Sequence, residues 1–454
     1  MLLMPFHSRI RATILPLATA ALGALVVASC EGSAAHVDGP KGASAFGSYV
    51  AIGTGLSMGV QSGGVLYDSQ VQAWPALLAH AVTPGFAFVT SDTVVYGVIS
   101  FRIPLFRAPG CQPPLIAPLQ FAVDLSGATT AAIDSTCAGL IDTTAPPTSN
   151  LALQGASAWA ALTLTPKVVL NSVAPYGALD RARYPFVLGS TQSQVTALRV
   201  EGASFVSVEL GLTEVLGAAT SGLLMPATSY TQGTPYTYVP AAVFAPVFAA
   251  IADSVLLTRA KVVLLSVPRV SGLYALRPAS ELWSDRAELA TFGINVTPDC
   301  GTSANFVFTG SLVPALAAKF AATGTAQSLS CTDVPGAADA ILTPADIATL
   351  DAVVTQMNSQ IQQVAQQNGW AFADLTGVYP PPLSMRRPYA ASDQLTCVYP
   401  YGTFVSPDGV FPSPSGQAAI AATVASAIDA KYGFTIAAGT PLPIGVAAVW
   451  WPCP

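Results

Sequence analysis

The sequence predicts a doubly wound α/β domain, in which helices cover both faces of a parallel β-sheet. The first observation is a set of short apolar runs without the alternation of a half-buried strand, a pattern typical of strands buried on both faces. These runs are residues 48–52, 205–210 and 261–267, with 150–153 and 370–374 as shorter candidates. The second observation is that stretches with helical periodicity lie between them.

The clearest helical pattern begins at Thr343, an N-cap residue followed by a proline in the first turn and by Asp346 at the third position. Apolar residues then recur every three or four positions, which places them on one face. They are Ile347, Leu350, Val354, Met357, Ile361 and Ala365, and Gly369 ends the pattern. A last helix is expected from Ser413 to Gly433, with Ala418, Ile420, Val424 and Ile428 as its apolar residues.

Composition excludes several classes of protein. Of the 454 residues, 52% are hydrophobic and only 9% are charged, and the formal net charge is −6. The chain is too apolar to be disordered, and a mild acidity without a basic cluster argues against nucleic-acid binding. With three histidines and no CxxC pair, we expect neither a metal site nor a cofactor.

The first 29 residues have the features of an export signal, because Arg9 and Arg11 precede an apolar run over residues 18–28. The segment from Val27 to Cys30 resembles a bacterial lipobox, in which the cysteine is lipidated after cleavage. We therefore expect a signal peptide over 1–29, lipidated Cys30 with a flexible tether over 30–47, and one domain over 48–454. The protein would be exported and held on a bacterial membrane, at the periplasmic face or the cell surface. The alternative is an uncleaved anchor helix.

Six further cysteines remain, and an even number in an exported chain suggests three disulfides. Spacing favours Cys111–Cys137, Cys300–Cys331 and Cys397–Cys453 among fifteen possible pairings. Two long Pro- and Gly-rich excursions, at about 82–148 and 270–342, each contain two of these cysteines. We interpret them as disulfide-stapled insertions in a single domain. The most apolar later stretch, 239–252, falls short of the roughly 20 residues that span a bilayer, and is expected to be a buried helix.

Five blocks of the chain resemble the SGNH (GDSL-type) esterases and lipases, and more narrowly a bacterial lipoprotein branch of that family. They occur in the family's order: 53–64 (GTGLSMGVQSGG), 150–156 (NLALQGA), 184–189 with 194–195, 209–217 (ELGLTEVLG) and 406–413 (SPDGVFPS). The resemblance implies a three-layer α/β/α sandwich, similar to flavodoxin-like folds, around a parallel sheet of about five strands. It also implies an active site at the carboxyl ends of the strands.

Three residues that define the family's chemistry are replaced. Gly55 stands at the position of the nucleophilic serine, Thr213 at that of the oxyanion-hole asparagine, and Phe411 at that of the general-base histidine. Only Gly155, whose family counterpart supplies an oxyanion-hole N–H, and Asp408, whose counterpart orients the histidine, keep the family identity.

Ester hydrolysis by this route needs an attacking hydroxyl and a base that removes its proton. We therefore predict an inactive pseudo-esterase with an apolar cleft that binds an apolar or acyl small molecule. One alternative is an active esterase or lipase with a displaced set, Ser57 with Glu214 or Asp408. Another is a surface lipoprotein whose role is interaction with protein partners that the sequence does not identify. His80, within a helix-like stretch, is expected to be a surface or packing residue.

Overall fold

The computed structural model describes residues 40–61, 65, 67–83, 146–172, 178–230, 236–380, 385–395 and 400–440. Within these ranges the helices are α1 Gly55–Met58, α2 Tyr67–Val71, α3 Trp74–Ala81, α4 Ala158–Thr163, α5 Pro166–Asn171, α6 Ala178–Leu188, α7 Gln194–Val200, α8 Thr213–Ser221, α9 Ala241–Leu256, α10 Ala279–Ser284, α11 Arg286–Thr291, α12 Thr309–Thr323, α13 Pro344–Asn368, α14 Ala391–Leu395 and α15 Pro414–Tyr432. The strands are β1 Tyr49–Gly53, β2 Phe205–Glu209, β3 Lys261–Leu265, β4 Leu276–Pro278, β5 Ile294–Val296, β6 Phe306–Phe308, β7 Gln327–Leu329, β8 Ile341–Leu342 and β9 Ala371–Ala373.

The central sheet has four strands in the order β1-β2-β3-β9, and every neighbouring pair is parallel. The expectation of an α/β fold around a parallel sheet is thus confirmed for four of the five predicted runs. The fifth run, 150–153, lies beside β1 and forms only an isolated parallel bridge between Asn150 and Ala51. The amides of Leu151 and Leu153 donate to the carbonyls of Ala51 and Gly53. The amide of Gly53, which the next rung of a regular ladder would use, donates to the side chain of Gln194 instead.

Helices cover both faces of this sheet, because successive strand residues point to opposite sides. Val50, Val206 and Val262 belong to one core, which also contains buried residues of α4, α7, α8, α9 and α13. The neighbouring Tyr49, Phe205 and Val263 belong to a second core, which contains residues of α3 and α15. The strands lack polar–apolar alternation because both faces of the sheet are buried, as predicted.

The ends of the two longest predicted helices are confirmed. Thr343 and Asp346 form a capping box at the start of α13, whose predicted apolar face is buried. Ser413 caps α15 by accepting a hydrogen bond from the amide of Gly416. Gly369 and Gly433 follow the two helices in left-handed conformation, which closes their last turns at little steric cost.

The second predicted insertion contains a three-stranded antiparallel sheet, β4-β6-β8, and a parallel pair, β5-β7. Cys300 and Cys331 form a disulfide in it, with an S–S distance of 2.00 Å, so this predicted pairing is confirmed. Most of the other insertion lies outside the described residues, as do the predicted signal and residues 30–39 of the predicted tether. Residues 40–47 of that predicted tether pack on the domain instead, since Ala43–Phe46 forms a 3-10 helix and the buried Phe46 ring stacks on Phe205. The remaining cysteines also lie outside them: Cys30, Cys111, Cys137, Cys397 and Cys453.

Helix α9 corresponds to the apolar stretch predicted as a buried helix, and its Phe244, Phe248 and Ile251 lie in the first core. In the part of the chain that the structure describes, no helix combines the length and the apolar character that a membrane crossing requires.

Candidate functional site

Four segments of the chain meet at the carboxyl edge of the central sheet: 53–61, 150–156, 209–217 and 406–413. Gly53, the last residue of β1, is in register with Glu209, the last residue of β2. The side chain of Gln194 completes the hydrogen bonding of Gly53: its Oε1 accepts from the Gly53 amide at 2.9 Å, and its Nε2 donates to the Gly53 carbonyl at 3.1 Å. The side chain of a helix residue thereby fixes the end of β1.

A buried carboxylate holds the turn that follows β1. Glu209 accepts hydrogen bonds from the Thr54 amide, the Thr54 hydroxyl and the Ser57 hydroxyl, each at 2.9 Å. Burial raises the pKa of Glu209 to about 7, although these hydrogen bonds favour the charged form. Glu209 is not among the residues predicted from the sequence, where its signal is an acidic residue that ends an otherwise apolar or neutral strand.

Gly55 and Phe411, which the resemblance predicts at the nucleophile and base positions, are in direct contact. A Cβ at Gly55 would lie 2.8 Å from Cε1 and 3.0 Å from Cζ of Phe411, and 3.0 Å from Cγ2 of Val60. The Phe411 ring therefore occupies the space that a side chain at position 55 would need. Phe411 itself is only 9% exposed, so this contact closes one part of the site with apolar surface.

Asp408 shapes the turn that presents Phe411. Its Oδ1 accepts hydrogen bonds from the amides of Val410 and Phe411, both at 2.8 Å, as is usual for an aspartate that stabilises its own turn. The carbonyl of Gly409 accepts from the amides of Tyr274 and Ala275 at 2.9 and 3.1 Å. The second insertion thus supports this loop from outside.

Gly155 lies in an exposed loop beside α1. The amide of the preceding Gln154 is 3.3 Å from the sulfur of Met58, the last residue of α1. Gly155 has a φ of +75°, which favours glycine, and no described atom lies within 4 Å of the place a Cβ would take. The site is therefore open at Gly155 and filled at Gly55. Thr213 is the first residue of α8, which begins just after β2.

Ser57 and Glu214, two residues of the displaced catalytic set, make separate contacts. The Ser57 hydroxyl donates to Glu209 and accepts from Trp74 Nε1 at 3.2 Å, and Ser57 is fully buried. Glu214 Oε1 accepts from the Ala158 amide at 2.6 Å and from the Tyr230 hydroxyl at 3.0 Å. These hydrogen bonds join Ser57 to the second strand and Glu214 to the start of α4.

The second oxygen of Glu214, Oε2, is buried without a hydrogen-bond partner among the described residues. Burial accordingly raises the pKa of Glu214 to about 7. His80 lies in α3, where partial burial lowers its pKa, while His7 and His36 are outside the described residues. Across the described ranges, no group of three His, Cys, Asp or Glu residues is arranged to hold a metal ion.

Comparison with known proteins gives no family for this chain. No family model matches the sequence, and no curated protein matches it at a significant level.

We predict that Glu214→Gln changes the pH dependence of stability. Since an unfolded glutamate has a pKa near 4.5 and the folded one about 7, the unfolded chain binds fewer protons in this interval. Stability then falls as the pH rises from about 4.5 to 7. Glutamine keeps the oxygen that accepts both hydrogen bonds and does not titrate. The variant should equal the wild type near pH 4.5 and exceed it by about 2–3 kcal/mol at pH 8.

Urea unfolding between pH 4 and 8 measures this effect. Glu201→Gln, at the partly exposed end of α7, controls for the loss of one acidic group. A Glu214→Gln variant that is less stable than the wild type at pH 8 would show that the carboxylate is stabilised in its charged form.

We also predict a steric coupling between Gly55→Ser and Phe411→His. The serine alone should cost about 1–3 kcal/mol, because its Cβ overlaps the phenyl ring. An imidazole is smaller than a phenyl ring and leaves room, so the double variant should be more stable than the sum of the single effects by about 1 kcal/mol or more.

A double-mutant cycle from denaturant unfolding gives this coupling. Gly377→Ser is the matched control, since no described atom lies within 4 Å of its Cβ position. Strict additivity of the Gly55 and Phe411 substitutions would contradict the contact.

Proposed function

We propose that this chain is a lipid-anchored, SGNH-hydrolase-like protein that does not hydrolyse esters and instead binds an apolar or acyl ligand. The observation that carries the proposal is the Phe411 ring packed against Gly55. In this view the fold is the family's three-layer α/β/α sandwich, and the cleft at the carboxyl ends of its strands is retained for binding. The anchor is a lipid on Cys30 at the surface of a bacterial membrane.

The contacts among the blocks support the family resemblance. The first block touches the fifth through Gly55 and Phe411, and the second through Met58 and Gln154. The third block reaches the first through Glu209, and its Glu214 accepts a hydrogen bond from Ala158, two residues beyond the second block. Segments far apart in the sequence are expected to meet in this way if they share the family's active-site edge.

The loss of hydrolysis follows from the chemistry of the contact. Glycine has no atom that can attack a carbonyl, and a phenyl ring can neither take a proton nor return one. Asp408, whose family role is to orient an imidazole, instead binds the backbone of the turn. Members of such a set act as a unit, so loss of two removes essentially all of its contribution.

An apolar ligand suits the surfaces that remain. Among the apolar side chains around the first block, Val60 and Met58 are buried in the core and Phe411 keeps 9% of its surface exposed, while the space in front of Gly155 is open. A fatty acyl chain could place its tail against the Phe411 ring and its oxygen atoms toward the backbone at Gly155. This arrangement of an apolar wall with few polar groups is usual in small-molecule sites.

The displaced catalytic set has less support. Ser57 is fully buried, and its hydroxyl is held between Glu209 and Trp74. A nucleophile must reach its substrate, so activity at Ser57 would require the turn after β1 to open. No specific contact favours the protein-interaction alternative.

We predict that the purified protein does not react with a biotinylated fluorophosphonate and hydrolyses p-nitrophenyl butyrate no faster than buffer. Intact mass measures the fluorophosphonate adduct, and the absorbance of released p-nitrophenolate measures hydrolysis. An active serine esterase is the positive control for both. Ser57→Ala serves as the matched variant. An adduct or a turnover that disappears in Ser57→Ala would establish the displaced set.

We further predict that the protein binds dansyl-undecanoic acid, with an increase in dansyl fluorescence as the probe leaves water. Phe411→Asn should weaken binding about tenfold, because it places a polar amide against the acyl chain. Phe320→Asn, a comparable change on α12 in the second insertion, should leave it unchanged. Equal affinity in all three proteins, or no binding, would contradict the ligand assignment.

A further inference from the structure

The amino ends of the central strands form a surface opposite the candidate site. Helices α7 and α9 end there, since each precedes a parallel strand, β2 or β3. Helix α15 also ends there, because the hydroxyl of Tyr432 bonds to both the amide and the carbonyl of Val262. We call this surface the amino-end face and define it by Lys41, Arg199, Val200, Leu256, Leu257, Arg259, Lys261 and Lys431.

The amino-end face exposes large apolar side chains. Leu257 is 68% exposed and Val200 is 61% exposed, the two highest values among the large apolar residues that the structure describes. Leu256, beside Leu257, is 49% exposed. Helices α7 and α9 pack against each other, so their ends present this apolar surface as neighbours.

The same face is positively charged, although the whole chain carries −6. Its five cationic side chains are all exposed: Lys41, Arg199, Arg259, Lys261 and Lys431. The acidic residues on the same helix ends are Glu201, Asp253 and Asp429. Three of the five lysines in the sequence lie here, and the other two, Lys167 and Lys319, lie on α5 and α12. Lys261 Nζ lies 4.9 Å from the ring centre of Tyr432.

The chain enters the domain at this face. The amide of Lys41 donates to the Thr435 hydroxyl at 3.0 Å, just beyond the end of α15. The amide of Ser48 donates to the Ser204 hydroxyl at 2.9 Å, just before β2. Cys30 is ten residues before Pro40, and ten residues span at most about 36 Å when fully extended. A lipid on Cys30 would keep this face within that distance of the bilayer.

We propose that the amino-end face rests on an anionic bilayer surface, with its leucines at the headgroup level and its cations against lipid phosphates. The proposal extends the proposed lipid anchor and depends on it for the first approach to the membrane. Cationic side chains gain from the negative potential of such a surface, and exposed leucines gain from leaving water. The result is a domain with a fixed orientation on its anchor.

Lysine footprinting tests this orientation on the full processed protein. The protein is purified from membranes, reconstituted on vesicles of phosphatidylglycerol and phosphatidylethanolamine, and acetylated with an N-hydroxysuccinimide ester before mass spectrometry. We expect acetylation of Lys41, Lys261 and Lys431 to fall about fivefold or more relative to protein in detergent. Lys167 and Lys319 should be unaffected. On phosphatidylcholine vesicles the protection should largely disappear.

A double variant, Leu257→Ser with Arg259→Gln, should lose most of the protection on anionic vesicles. Val334→Ser with Arg286→Gln is the matched control, because it removes an exposed apolar residue and one positive charge from the second insertion. Equal labelling of all five lysines on anionic vesicles, or an equal loss in the control, would overturn the proposal.

The same digest tests the lipid anchor separately from the orientation of the domain. The mass of the peptide that begins at Cys30 shows whether the cysteine carries lipid. If the cysteine carries no lipid, the proposed anchor is wrong. Protein that still co-floats with anionic vesicles can then be footprinted to test the amino-end face. Unlipidated protein that does not co-float would overturn both the anchor and the membrane contact of the amino-end face.

Discussion

The carboxylate of Glu209 is the constraint on which the geometry of the site depends. It accepts hydrogen bonds from the Thr54 amide and from two hydroxyl groups in the turn after β1, and all three residues are buried. Without it those donors would be buried and unsatisfied, at a cost of about 1–3 kcal/mol for each group. The turn would then lose the hydrogen bonds that keep Gly55 against Phe411. A single buried acidic side chain thus fixes the turn that carries Gly55.

The side chains at positions 55 and 411 depend on each other in size. A phenyl ring fits only because residue 55 lacks a side chain, and a side chain there would require the ring to move. Asp408 reinforces this state by fixing the turn on which the ring is carried. Gly55 and Phe411 therefore make one packing arrangement, in which neither position can be enlarged alone.

Local patterns in the sequence were sufficient for much of the fold. The capping residue Thr343 and the apolar spacing of α13 are consequences of short-range geometry, and the structure agrees with both. Apolar runs also located the four strands of the central sheet. The disulfide between Cys300 and Cys331 followed from spacing. By contrast, the regular strand expected at 150–153 did not form, because the Gly53 amide that its ladder would use donates to the side chain of Gln194.

The site was less predictable. The approach of Gly55 to Phe411 was expected only through resemblance, since no pattern within either segment indicates the other. Glu209 could not be recognised as a hydrogen-bond acceptor for Thr54 and Ser57, because its partners become neighbours only when β1 and β2 pair in register. Likewise, the partners of Glu214 come from α4 and from Tyr230, two separate parts of the chain. Long-range pairing of polar groups carries no local signature.

The polarity of the central sheet has a consequence for how a ligand would arrive. All four strands point the same way, so the edge at which the chain enters and the edge that carries Gly155 are at opposite ends of the domain. With the lipid anchor proposed above, the candidate site would lie at least a strand length above the lipid. A ligand would then reach it from the surrounding fluid. Molecules dissolved in the lipid layer itself would have to leave it first.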